Sequence, residues 1–127
     1  MAEKNPSDVV RSFCSTWATG DIGRLMWFFA DDAVYHNIPM APVTGKDAIK
    51  ATIEGFSASA SKIVFEMKNL AADGNIVFTE RDDVFTMEHG TVSLPVAGVF
   101  EINGDGKIAA WRDYFDLNQF TSQLPGS

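Results

Sequence analysis

The chain has 127 residues, 46% hydrophobic and 12% aromatic, which supplies enough apolar surface for one core and excludes a mainly disordered protein. A formal net charge of -7 at pH 7 argues against a nucleic-acid partner, because neutralising phosphates needs clustered Lys and Arg. Cys14 is the sole cysteine, so neither an internal disulfide nor a thiolate metal cluster is available. The opening residues are polar, and no apolar run reaches the roughly 18 residues of a membrane span, so a cytoplasmic protein with no membrane partner is expected.

Pro6, Ser7 and Asp8 form a helix-start signal, and Val9, Val10, Phe13, Cys14 and Trp17 then recur at helical spacing until Gly20. Cys14, within that stripe, reads as a core residue. Asp21 can cap a second helix carrying Ile22, Leu25, Met26 and Phe29, giving an α-hairpin. Ala33 to Asn37 reads as a short strand and 38–45 as a loop. Thr44 and Asp47 look like a capping arrangement for a third helix carrying Ile49, Ile53 and Phe56 and ending near Ala60. From residue 62 onward, β-branched and aromatic runs are broken by Asp73-Gly74, His89-Gly90 and 103–106, which predicts a four-stranded antiparallel meander. Helices first and a meander afterwards predict one α+β domain over residues 1–127. Its curved, mostly antiparallel sheet wraps around the N-terminal helices and leaves a small-molecule pocket.

Alternation along the strands places Arg81, Asp83 and Phe85 on one face, and Trp111, Asp113 and Phe115 likewise on one face. A carboxylate between aromatic rings is unusual on a solvated surface, since burying an unpaired charge is costly. Taking His89-Gly90 and Gly104-Asp105 as two-residue turns puts Asp83 and Asp113 both opposite Val96, about 10 Å apart at the backbone across one strand. Arg81 can then reach both with its planar fork. An Arg-x-Asp strand is more often a surface ion pair, and the polar segment Tyr35-His36-Asn37 more often plain turn chemistry, so neither motif is specific alone. His36 and His89 lack Cys, Asp or Glu at ligand spacing, so no metal is expected.

Together, three segments resemble the limonene-1,2-epoxide hydrolases, which share the nuclear-transport-factor-2-like (SnoaL-like) cone with polyketide cyclases and ketosteroid isomerases. These segments are Tyr35-His36-Asn37-Ile38-Pro39-Met40-Ala41-Pro42, then Thr79-Glu80-Arg81-Asp82-Asp83, then Trp111-Arg112-Asp113-Tyr114-Phe115-Asp116-Leu117. The resemblance implies that Asp83, Tyr35 and Asn37 hold and activate a water, that Asp113 protonates the epoxide oxygen, and that Arg81 joins the carboxylates. It implies no cofactor, a one-step hydration to a trans diol, and a homodimer. Met40, Phe56, Phe85, Val96, Trp111 and Phe115 are the expected substrate wall, fitting an apolar epoxide such as limonene oxide or a larger lipid. The alternatives are an isomerase or polyketide-cyclase-like enzyme on the same fold, or a non-catalytic ligand-binding module.

Overall fold

The computed structural model describes residues 5–125; the first four residues of the polar opening lie outside them. Helix α1 spans Pro6–Thr16, and its N-terminal N–H groups are met by the side chain of Asn5, which accepts from the backbone of Ser7 and Asp8. A 3₁₀ turn, Trp17–Thr19, closes on Gly20 at φ 72°, a left-handed position that suits glycine. Asp21 caps the short α2, Ile22–Trp27, by accepting from Arg24 N. Strand β1 covers Phe29–Asn37, β2 Val43–Thr44, and helix α3 Lys46–Ser59. The meander follows as β3 Ala60–Asp73, β4 Ile76–Met87, β5 Gly90–Ile102 and β6 Ile108–Tyr114, with a last short helix α4 at Leu117–Thr121.

The six strands form one sheet in the order β2-β1-β6-β5-β4-β3, antiparallel throughout except for β1 against β6. Register breaks between Ala60 and Lys62 and between Met67 and Asn69 interrupt the β3 ladder, and such bulges bend a sheet. On the inner face α1 lays its apolar stripe over the strands. Phe13, fully buried, meets Phe28, Phe29, Phe100 and Trp111 edge-on, with ring centroids 5.0 to 6.0 Å apart. Cys14 is buried in the same stripe, and burial pushes its thiol up to about 12, which leaves it protonated and inert.

Several expectations need correction. Phe29 does not extend α2: the helix stops at Trp27, and Phe29 starts β1, four residues before the expected strand start. Thr44 caps nothing, because its backbone pairs with Val34; α3 opens instead from Gly45 at φ 91°, with no side-chain cap. The first hairpin turns at Glu88-His89 with Met87 opposite Gly90, which moves Asp83 opposite Leu94. The second turn is a five-residue loop gathered by Asn103, whose side chain accepts from Asp105 N and Lys107 N, and it moves Asp113 opposite Gly98. The carboxylates therefore do not share a row. They sit four residues apart along β5, with Arg81, opposite Val96, between them.

Candidate active site

Thr79, Arg81 and Asp83 point inward from β4, and Asp113 points inward from β6 to meet them across Gly98. Arg81 is 0% exposed, and all five of its N–H donors are engaged. Nε and Nη2 donate to the two oxygens of Asp83 at 2.9 and 2.8 Å. Nη1 and Nη2 donate to the two oxygens of Asp113 at 3.2 and 2.9 Å, and Nη1 also donates to Thr79 Oγ1 at 3.1 Å. The guanidinium lies over the Phe65 ring at 4.4 Å. A lysine could not make this double fork. Burial alone would lower the Arg81 pKa, but Asp113 and Asp83 together hold it well above its ordinary value.

Asp113 Oδ1 also accepts from Trp111 Nε1 at 2.6 Å, so this carboxylate takes three hydrogen bonds and keeps one lone-pair site open. Asp83 takes two. Burial raises its carboxyl from 3.8 to about 6 against the opposing pull of Arg81, and Asp113 pushes in the same direction as burial. The charge count explains this: one guanidinium balances one carboxylate, and a second ionised carboxylate would stand uncompensated beside an apolar cavity.

Tyr35 and Asn37 alternate on β1, and the parallel pairing sets Asn37 beside Asp113 and Tyr35 beside Trp111. The Tyr35 ring stacks on Trp111 at 4.2 Å and 10°. Its phenol is held well above the ordinary tyrosine value by burial and then by Asp113, with hydrogen bonding from Asn37 acting the other way. The pair expected to work with Asp83 thus neighbours Asp113. The β1–β6 pairing, invisible in the sequence, is the reason.

A cavity of about 270 Å³ opens above these groups. Tyr35, Asn37, Asp83 and Asp113 line it, together with Met40, Phe56, Phe85, Val96 and Phe115 from the expected wall. Trp111 does not: it is fully buried behind Tyr35 and acts on the site through that stack and through its hydrogen bond to Asp113. The wall also includes Trp17, Phe65, Leu94, Leu117 and Phe120, which the sequence reading left out. Leu94 carried a signal, since it alternates with Val92 and Val96 on one strand face. The Asp116-Leu117 start of α4 also carried one, since Asp116 accepts from Asn118 N as a helix cap. Among the described residues no group of three or more His, Cys, Asp or Glu could hold a metal ion, and no helix is long and apolar enough to cross a membrane.

The architecture is that of the SnoaL-like cones: a solved putative SnoaL-like polyketide cyclase from Shewanella denitrificans superposes with a TM-score of 0.85, covering 96% of this chain and 98% of its own, at 11% identity. The chain belongs to the limonene-1,2-epoxide hydrolase family, whose catalytic-domain model matches residues 4–125. The epoxide hydrolase EphG of Mycobacterium tuberculosis is 33% identical over 120 residues, covering 92% of this chain and 78% of its own. The solved structure of an M. tuberculosis LEH-like epoxide hydrolase has a TM-score of 0.77 at 29% identity, covering 92% and 86% of the two chains.

Proposed function

We propose that this protein is an epoxide hydrolase that adds water to an apolar epoxide in one step, by paired general acid and base. The observation that carries the reading is a fully buried arginine shared by two carboxylates at the floor of an apolar cavity. Family membership and the likeness to the M. tuberculosis enzymes support the same chemistry.

The division of labour we propose reverses the one that the resemblance first implied. Asp113, with its one open lone-pair site and with Tyr35 and Asn37 beside it, accepts the proton of the attacking water. Tyr35 and Asn37 fix that water for attack on one ring carbon from the side opposite the breaking bond. Asp83, whose carboxyl titrates near 6, keeps a proton for the departing oxygen. The guanidinium lets the pair hand over one proton and take up another without leaving a net buried charge. Ring strain supplies the driving force, so the reading includes no cofactor. A cyclic epoxide such as limonene oxide gives a trans diol.

The deciding experiment is a single turnover of a cyclic epoxide in ¹⁸O-water with enzyme in excess. One-step hydration puts the label into the first diol formed. An enzyme ester would deliver an unlabelled oxygen to that diol and leave label in the peptide bearing Asp83 or Asp113, an outcome that removes the mechanism. We further propose a cytoplasmic homodimer.

A further inference from the structure

Beside the catalytic cavity lies a second hollow of about 760 Å³, nearly three times larger. Its walls are Gly55 and Ser59 of α3, Met87, Glu88 and His89 of the β4–β5 hairpin, and Leu124 and Pro125 after α4. The two spaces share three rings: Phe56, Phe85 and Phe120 line both. Phe85 and Phe120 meet edge-on at 5.5 Å, and all three side chains are only half-buried. They form a boundary shared by the two spaces, and Phe56 and Phe85 also pack against the hydrophobic core.

The inner space, about 270 Å³, is at the small end for a ligand site and suits a compact ring better than a long chain. A substituent on that ring that leads toward the outer hollow passes the three phenylalanines that line both spaces. The outer hollow meets β4 at Phe85 and Met87 and then the turn at Glu88 and His89, so along this strand it leads away from Asp83. From Asp83 to Met87 the strand advances about 13 Å, the span of roughly ten carbon–carbon bonds of an extended alkyl chain. The lining near the rings is hydrocarbon, and ionisable groups occur only at the rim, in Glu88 and His89, both exposed.

We propose that the outer hollow is a subsite for the hydrocarbon tail of the substrate. The preferred epoxides are then long-chain lipids: the oxirane sits at Asp83 and Asp113, and an alkyl chain of about ten carbons runs past Phe56, Phe85 and Phe120 to end at the Glu88–His89 rim. The inference rests on the epoxide reading for the reacting group and adds the substrate class.

The test compares cyclohexene oxide with the same ring bearing a linear decyl chain, in the wild-type protein and in Gly55→Leu. A Cβ at Gly55 meets nothing within 4 Å, and leucine favours the helix, so the variant fills the outer hollow without straining α3. The wild type is expected to favour the decyl epoxide in kcat/KM by about tenfold or more, and Gly55→Leu to bring that ratio close to one. Ser59→Leu, at the other end of the hollow's α3 wall, gives the same result should Gly55→Leu misfold. No preference in the wild type, or an unchanged ratio in both variants, overturns the subsite. If neither epoxide is turned over, the epoxide reading fails by itself. Calorimetric binding of decyl-cyclohexanediol then decides the subsite: weaker binding to the variants than to the wild type supports it, and equal binding overturns it.

Discussion

Gly98 shows how little room the site leaves. It lies on β5 opposite both Thr79 and Asp113, and a Cβ built there falls 2.8 Å from Asp113 Oδ1 and 2.8 Å from Thr79 Oγ1. Neither atom can retreat, because each is hydrogen-bonded to Arg81. Gly98→Ala is therefore expected to cost about 1–3 kcal/mol in denaturant unfolding and to lower kcat by more than the folded fraction explains. Asp83 carries the pH dependence. Its folded pKa, about 6, lies above the ordinary 3.8, so the folded state binds the extra proton between those values. Stability should fall as pH rises through that window, and Asp83→Asn should flatten the fall in a Tm series. In its proposed role as general acid Asp83 must be protonated to act, so kcat/KM should decline above an apparent pKa of about 6. Asp83→Asn and Asp113→Asn should each cost about 100-fold or more in kcat while the proteins remain folded. Full activity per folded molecule in either variant would reduce the charged trio to a structural ion network.

At the scale of elements, strand alternation was legible in the sequence, because Arg81, Asp83 and Asp113 do point inward with their aromatic neighbours. Register was not. Turn residues fix it, and neither turn is the one expected: the first is a two-residue turn shifted by one to Glu88-His89, and the second is a longer loop held open by Asn103. The β1–β6 pairing was equally hidden, since a parallel contact between the first and last strands leaves no local turn signal, and it decides which carboxylate Tyr35 and Asn37 face. Helix α4 shows in the sequence only as the Asp116 cap, because five residues give no helical period. Its anchor lies just past its end. Beyond Ala97 toward the hairpin, β5 has no β6 partner, and the Gln123 amide takes over the Ser93 rung, accepting from Ser93 N at 3.1 Å and donating to Ser93 O at 2.9 Å. Gln123→Ala should free α4, which carries the cavity residues Leu117, Phe120 and Thr121. The expected result is a raised KM with a smaller change in kcat and faster proteolytic cleavage after residue 116. A KM that stays put would show that α4 is held by its apolar contacts alone.

For the molecule as a whole, the two faces of the sheet have different work. The inner face holds α1, the core and the proposed catalytic groups, whereas the outer face has no helix of its own among the described residues. On that outer face Phe78 and Tyr114 are each 45% exposed. Phe78 pairs across the ladder with Val99, and Tyr114 with Ala97, so the apolar groups run over β4, β5 and β6 as one strip. The strip is bordered by paired charges, with Arg112 Nη1 donating to Glu101 Oε2 at 2.6 Å and Lys68 Nζ 3.2 Å from Asp82 Oδ2. An apolar centre with a charged rim fits a two-fold contact, in which the same strip meets its copy and each rim charge finds an opposite partner. Light scattering at micromolar concentration should give about twice the 13.9 kDa chain mass. Phe78→Asp with Tyr114→Asp sets like charges against each other across the axis, and should yield a monomer that still binds the diol product, since neither residue lines the cavity. A wild-type monomer, or a double variant that stays dimeric, would remove this face from the assembly.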